Sequence, residues 1–174
     1  VGGVRIELEK LEETDGRFAH TYGPAELALE DDRARLSEAP ELSGRVIRDR
    51  NQVVLKGRLS ARAEVDCDRC LKPVDVLVST EFNLRYVTAE EYALIHTAEL
   101  KDEDLALSVF DGETIDIDEV AREQVLLAVP LRSLCREDCQ GFCPDCRADR
   151  NLNDCACQTA EIDERWAGLR DLRF

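Results

Sequence analysis

The sequence predicts an α+β fold: a mainly antiparallel β-sheet or partial barrel, one covering helix and a cysteine-rich module towards the C-terminal end. Three observations predict it. Apolar and polar residues alternate through two long runs on either side of Cys67-Asp-Arg-Cys70, the pattern of strands with one buried face. A single capped helical repeat follows at 116–129. Six of the eight cysteines then crowd between Cys135 and Cys157. This order divides the chain into a β-rich unit with its helix at 1–130 and a cysteine module with a terminal helix at 131–174, docked on the first.

Val4-Arg-Ile6-Glu-Leu8 alternates as a half-buried strand does. Asp15-Gly16, Gly23-Pro24 and Asp31-Asp32 break the next segment into short strands or loops. From Leu42 the alternation sharpens through Gly44 and Val46 to a turn at Asp49-Arg-Asn51. The return run sets Leu55, Gly57, Leu59, Ala61, Ala63, Val65 and Cys67 on one face. Lys56, Arg58, Ser60, Arg62, Glu64 and Asp66 lie on the other. Pro73 interrupts the run, and Val74, Val76, Val78, Thr80, Phe82, Leu84 and Tyr86 resume the apolar face. The two runs form an antiparallel hairpin with the cysteine pair at its tip.

Residues 88–113 are acidic and poorly patterned, a loop with a short helix near Glu90–Leu94. Asp116 caps the next helix with Glu119 three positions on. Ile117, Val120, Ala121, Gln124, Val125 and Ala128 follow helical spacing until Pro130 ends it. Ile162, Trp166, Leu169 and Leu172 mark a short amphipathic terminal helix, in which Trp166 either anchors the tail to the body or serves as a partner-binding aromatic.

With 174 residues, 44% of them hydrophobic, the chain can bury a sizeable core. No run reaches about eighteen apolar residues, so no membrane span is expected. The start at Val1-Gly-Gly-Val-Arg lacks the basic end and apolar stretch of a secretory signal, so a cytoplasmic location is expected. Whether residues precede Val1 stays open. In that reducing compartment eight cysteines favour metal over disulfides.

The formal net charge of -15 argues against nonspecific coating of nucleic acid and suits a basic protein partner. The charge is uneven. Residues 45–72 carry eight basic and four acidic side chains, whereas 81–124 carry three basic and thirteen acidic ones.

The cysteine spacings carry the chemistry. Short intervals let two thiolates of one turn grip one ion, and two such turns complete a tetrahedral four-sulfur site. Cys143, Cys146, Cys155 and Cys157 close one zinc-ribbon-like site, leaving Cys135 and Cys139 to meet Cys67 and Cys70 across the hairpin tip. Two zinc ions per chain are therefore expected, with an exchange of Cys139 for a ligand of the other site left open. The spacings do not resemble common iron–sulfur runs.

A closed four-cysteine site has no vacant position for substrate, so its role is structural. His20 and His96 lie in no recognisable motif, and there is no phosphate-binding loop, nucleophile elbow or His-Glu-x-x-His pattern. No enzyme activity and no small-molecule substrate are expected.

Three stretches occur in a specific order: Cys67-Asp-Arg-Cys-Leu-Lys-Pro-Val74, Ile117 to Pro130, and Gly141-Phe-Cys-Pro-Asp-Cys146 followed by Asn151-Leu-Asn153 and Cys155-Ala-Cys157. Together, over about residues 42–174, they resemble the YceD family, the large ribosomal RNA subunit accumulation proteins. Arg147 stands where the family usually has Gly, and Asp163-Glu164-Arg165 replaces a usual Asp-Pro-Arg. The resemblance implies a bacterial or plastid protein needed for accumulation of 23S ribosomal RNA and linked to large-subunit assembly. No activity is firmly established for the family.

Residues and resemblance together predict a non-enzymatic zinc-binding factor in large-subunit biogenesis, bound to ribosomal RNA or to a basic large-subunit ribosomal protein. In the first mode Lys56, Arg58 and Arg62, continuing to Arg69 and Lys72, contact RNA phosphates, although such a row is equally an ordinary solvated strand surface. In the second the acidic region 81–124 holds the ribosomal protein, and composition leans this way. A different class, a redox-switched zinc chaperone, is the alternative.

Overall fold

A computed structural model describes residues 3–11, 15–23, 25–49, 52–95, 107–157, 165 and 168. In chain order it holds strand β1 (Arg5–Glu7), a 3-10 turn (Leu8–Lys10), β2 (Asp15–Thr21), β3 (Ala34–Asp49), β4 (Gln52–Asp66) and β5 (Pro73–Thr88). Helix α1 (Ala89–Ile95), β6 (Leu107–Phe110), β7 (Thr114–Asp116) and helix α2 (Ile117–Ala128) follow. The architecture is α+β. Five strands form one sheet in the order β2-β3-β4-β5-β6, and β1 pairs with β7 in a separate ribbon. All pairings are antiparallel except β5 with β6.

The β4–β5 hairpin is the long axis of the sheet, paired from Val53↔Tyr86 to Asp66↔Pro73. Its alternating sequence has the expected outcome: Leu55, Leu59, Ala61, Ala63, Val65, Val78 and Phe82 are buried. Helix α2 lies against this face through Ile117, Val120, Ala121 and Val125, all buried in the same core. Sheet and helix make the two layers of the domain. Burying one such side chain contributes about 1.5–3 kcal/mol. The Asp116 carboxylate accepts from Glu119 N at 3.1 Å, satisfying one of the first-turn amides of α2.

Midway along the sheet Gly44 and Gly57 face each other across β3 and β4, flanked in register by Phe18 and Phe82. A Cβ at Gly57 would lie 2.6 Å from the Phe82 ring, and one at Gly44 would lie 2.7 Å from the Phe18 ring. The two aromatic side chains fill the space that the glycines leave.

Two features depart from the sequence expectation. β3 begins at Ala34, well before Leu42, because register shifts between Leu36 and Glu38 and between Glu38 and Glu41 scramble its alternation. Pro40, which lacks an N–H, sits within the second shift. β6 adds a parallel strand where a loop was expected; its four residues have no period to detect. The short helix near Glu90 is present as α1, started by Thr88, whose Oγ1 accepts from Glu91 N while Glu91 Oε2 accepts from Thr88 N. The expected terminal helix around Trp166, and His96, lie outside the described residues. Among those described, no helix is long and apolar enough to cross a membrane.

Candidate metal centres

The hairpin tip is built as a chelating turn. Cys67 N donates to Lys72 O at 2.8 Å, and Leu71 N donates back to Cys67 O at 2.9 Å. The second module repeats this pattern: Cys143 N donates to Ala148 O and Arg147 N to Cys143 O, both at 2.9 Å. In each turn the residue after the second cysteine is left-handed, Leu71 at φ 57° and Arg147 at φ 60°. That conformation folds the amide back onto the first cysteine and leaves both sulfurs on one side. Arg147 holds this left-handed form at a steric cost of about 1–2 kcal/mol.

The structure gathers the eight sulfurs into two sets, Cys67, Cys70, Cys135 and Cys139 in one and Cys143, Cys146, Cys155 and Cys157 in the other. Within each set all four lie within 4.8 Å of one another. Cys67 Sγ is 3.9 Å from Cys139 Sγ, and Cys70 Sγ is 3.5 Å from Cys135 Sγ. A disulfide needs about 2.05 Å. A tetrahedral zinc ion with bonds of about 2.3 Å spaces its sulfurs about 3.8 Å apart, so the first set fits zinc. Cys67, Cys70 and Cys139 are buried, whereas Cys146 and Cys157 of the second set are exposed. The first centre is largely interior, packed on Val74 and Leu134 with only Cys135 exposed; in the second, only Cys143 is buried.

Each set contains one sulfur prepared to ionise. Burial opposes ionisation at Cys67, but the amides of Cys135, Arg69 and Cys70 overcome it and bring its pKa down to about 6. The amides of Cys146 and Asp145 lower Cys143 to about 7 against burial. Contact with Cys70 pushes Cys135 up to about 12, and contact with Cys146 does the same to Cys157. A divalent cation would displace the protons that these neighbours retain.

The two centres are wired together by residues that spacing did not single out. Asn151, from the loop between Cys146 and Cys155, donates Nδ2 to Cys139 Sγ at 3.5 Å and to Asp149 Oδ1 at 2.8 Å. Its Oδ1 accepts from Gln140 N and Arg136 Nη2, both at 2.9 Å. Asp149 also binds Lys72 Nζ at 3.1 Å, which returns the link to the hairpin. Asp68 N donates to Ser133 O at 2.9 Å while Ser133 N donates to Asp68 Oδ2 at 2.7 Å, hooking the chain after α2 onto the tip. In the sequence, Asn151 stands out only as part of the Asn151-Leu-Asn153 stretch of the family resemblance, which carries no sign of its role. Partners that support a metal ligand commonly carry ten- to a hundredfold in affinity, roughly. Asn151→Leu is expected to speed zinc loss from the first centre about tenfold, measured by transfer to a chromogenic chelator, with the second centre unchanged.

The basic row divides. Arg62 lies 3.1 Å from Glu38 as an ion pair, although its Nε–H lacks hydrogen-bond geometry. Arg69 Nη1 donates to Cys139 O, and Lys72 is held by Asp149. Lys56 and Arg58 are exposed and make no ion pair among the described residues. They stand about 30 Å along the strand from Cys67. Register brings Arg45 and Arg17 beside Lys56, a cross-strand cluster invisible in the linear sequence, with Arg45 bound to Asp15. His20 is likewise engaged, 3.3 Å from Glu26.

Fold and centres together define a class: an α+β protein whose hairpin tip is joined to the C-terminal module by one tetracysteine cluster, with a second cluster inside that module. The family model for "Large ribosomal RNA subunit accumulation protein YceD" matches residues 55–173, and the chain belongs to that family. It is 30% identical over 151 residues to an uncharacterized protein of Mycobacterium tuberculosis, covering 87% of this chain and 70% of the relative, and matches one of Mycobacterium bovis equally. It is 27% identical over 168 residues to the uncharacterized protein YlbN of Bacillus subtilis, covering 95% of this chain and 92% of that protein. No solved structure matches the chain.

Proposed function

We propose that the chain is a non-enzymatic, cytoplasmic zinc-binding factor in biogenesis of the large ribosomal subunit. It supports accumulation of 23S ribosomal RNA by holding a basic ribosomal protein. Family membership supports the process. The observation that carries the mode of action is the pair of all-cysteine clusters, with four protein sulfurs each. A tetrahedral ion so held has no free position for water or substrate, so its work is to fix surfaces relative to one another. The C-terminal segment is then a zinc-ribbon-like clamp on the hairpin.

The net charge of -15 favours a cationic partner. A second reading, direct RNA contact, is favoured by one observation: the exposed Lys56 and Arg58 beside Arg17 and Arg45. Arg62, Arg69 and Lys72 of the basic row are occupied internally, which weakens it.

The test is replacement of the chromosomal gene in the host. Deletion should lower large-subunit relative to small-subunit ribosomal RNA. The wild-type chain should restore the ratio, and Cys67→Ser should not. An unchanged ratio in the deletion strain would remove the functional reading altogether. Lys56→Glu with Arg58→Glu should leave the ratio intact; loss of it would favour the RNA mode.

A further inference from the structure

A cavity of about 290 Å³ opens between the hairpin tip and the C-terminal end of α2. Its apolar wall includes Val65, Leu71, Leu126, Val129, Pro130 and Leu131. Two of these are large side chains left to solvent, Leu71 at 65% and Leu131 at 95% exposure, and Leu127 on the adjoining turn of α2 is 78% exposed. Large apolar groups grouped at one hollow mark an interaction site more often than scattered ones do. Leu71 also holds a left-handed backbone, which glycine or asparagine adopts at lower cost. The chelating turn explains the backbone angle but not the exposed leucine at that position.

The rim supplies the sign of the partner. Asp31, Asp32, Asp66 and Asp68 line the cavity against the single guanidinium of Arg33. Arg35 already engages Asp66 at 3.1 Å, and Asp68 engages Ser133, whereas Asp32 makes no ion pair among the described residues. An apolar hollow with an acidic rim, on a chain of net charge -15, complements a cationic segment that carries an apolar anchor. It does not complement residues 158–174 of this chain, which hold four acidic and three basic side chains.

We propose that this cavity receives an apolar side chain from a lysine- and arginine-rich segment of a partner protein, with the aspartate rim meeting the flanking cations. The proposal rests on the reading of the chain as a holder of a basic protein and gives that function a surface. This surface lies beside the first metal centre, through Cys67 and Asp68, rather than in the acidic stretch 81–124. The centre then fixes one wall of the cavity, and its loading with metal controls whether the wall is formed.

The test uses the zinc-loaded full chain and a fluorescein-labelled fifteen-residue peptide of lysine and arginine with one central leucine. Binding is followed by anisotropy at two salt concentrations. The wild-type chain should bind it, and a peptide with alanine in place of leucine should bind about tenfold more weakly. Leu131→Ser and Leu71→Asn should each cost about tenfold, since neither removes buried core and asparagine tolerates the left-handed turn. Asp32→Asn should flatten the salt dependence.

Equal binding by the leucine and alanine peptides, or by wild type and Leu131→Ser, overturns the proposal. So does displacement of the peptide by a 23S ribosomal RNA transcript together with loss of RNA binding in Leu131→Ser, which would assign the cavity to RNA. Tighter peptide binding in Trp166→Ala would assign it to the chain's own tail and also overturns the proposal. If Leu131→Ser binds peptide normally while Cys67→Ser still fails to restore ribosomal RNA, only the surface is wrong. If Cys67→Ser restores it fully, the functional reading fails whatever the peptide does.

Discussion

Cys67→Ser is expected to lower bound zinc from two ions per chain to one, measured by elemental analysis of the purified protein. The same change should lower the unfolding midpoint by on the order of 10 °C or more. The effect is large because the first centre is interior. Cys67, Cys70 and Cys139 are buried, and they join the hairpin tip to a segment that starts 65 residues later in the chain. A structural zinc site contributes about 10–16 kcal/mol of binding free energy in isolated finger peptides, and that energy is also folding energy.

Cys155→Ser is the control. It removes a ligand of the surface centre and should leave amide protection at Cys67 and Leu71 intact. The outcome that contradicts this account is retention of two ions in Cys67→Ser, or equal destabilisation by both variants.

The same centres set the response to acid. Thiolates bind metal and thiols do not, so zinc retention falls as pH falls. Cys67, with its pKa lowered to about 6, adds stability to the folded metal-free chain at pH above the ordinary thiol value. That contribution is lost as pH drops through about 6. Cys143 reaches the equivalent point at about 7. The surface centre, with Cys146 and Cys157 exposed to solvent, should release zinc at higher pH than the interior one.

How much of this was legible in the sequence follows from the range of each interaction. The β4–β5 hairpin and α2 were legible because period-2 and helical patterns with local caps are encoded within a few residues. The eight sulfurs stood out for the same reason, through short spacings. β3 beyond Leu42 was hidden by register shifts that destroy the period, and β6 by its four-residue length. The Arg17, Arg45 and Lys56 cluster exists only once three strands are in register. Asn151 could not be recognised as a support for Cys139, because that contact depends on how the second module sits against the tip. Arg69 and Lys72 seemed free for RNA for the same reason: their partners, Cys139 O and Asp149, lie some 70 residues away. The meeting of Cys135 and Cys139 with Cys67 and Cys70 was readable from the cysteine spacings, whereas the polar contacts that fix the module on the tip were not.

Gly141→Ala tests that docking directly. Gly141 is buried at φ 67°, and an added Cβ would lie 2.5 Å from Arg69 O and 3.0 Å from Arg69 Cβ. The left-handed angle alone costs an L-residue about 1–2 kcal/mol, and the obstacle here is backbone that cannot rotate aside. The hairpin tip and the module meet at this point: Phe142 N donates to Arg69 O at 3.3 Å, and within the module Arg150 N donates to Gly141 O at 2.9 Å. The variant should lose about 2–4 kcal/mol of stability and the hydrogen-exchange protection of the Phe142 amide, while the second centre keeps its own ion. Asn151 would be drawn away from Cys139 at the same time, so zinc should leave the first centre faster although all eight cysteines remain. Wild-type stability and unchanged exchange at Phe142 would show that the module does not depend on this close approach. The hairpin tip would then owe its position to the metal alone.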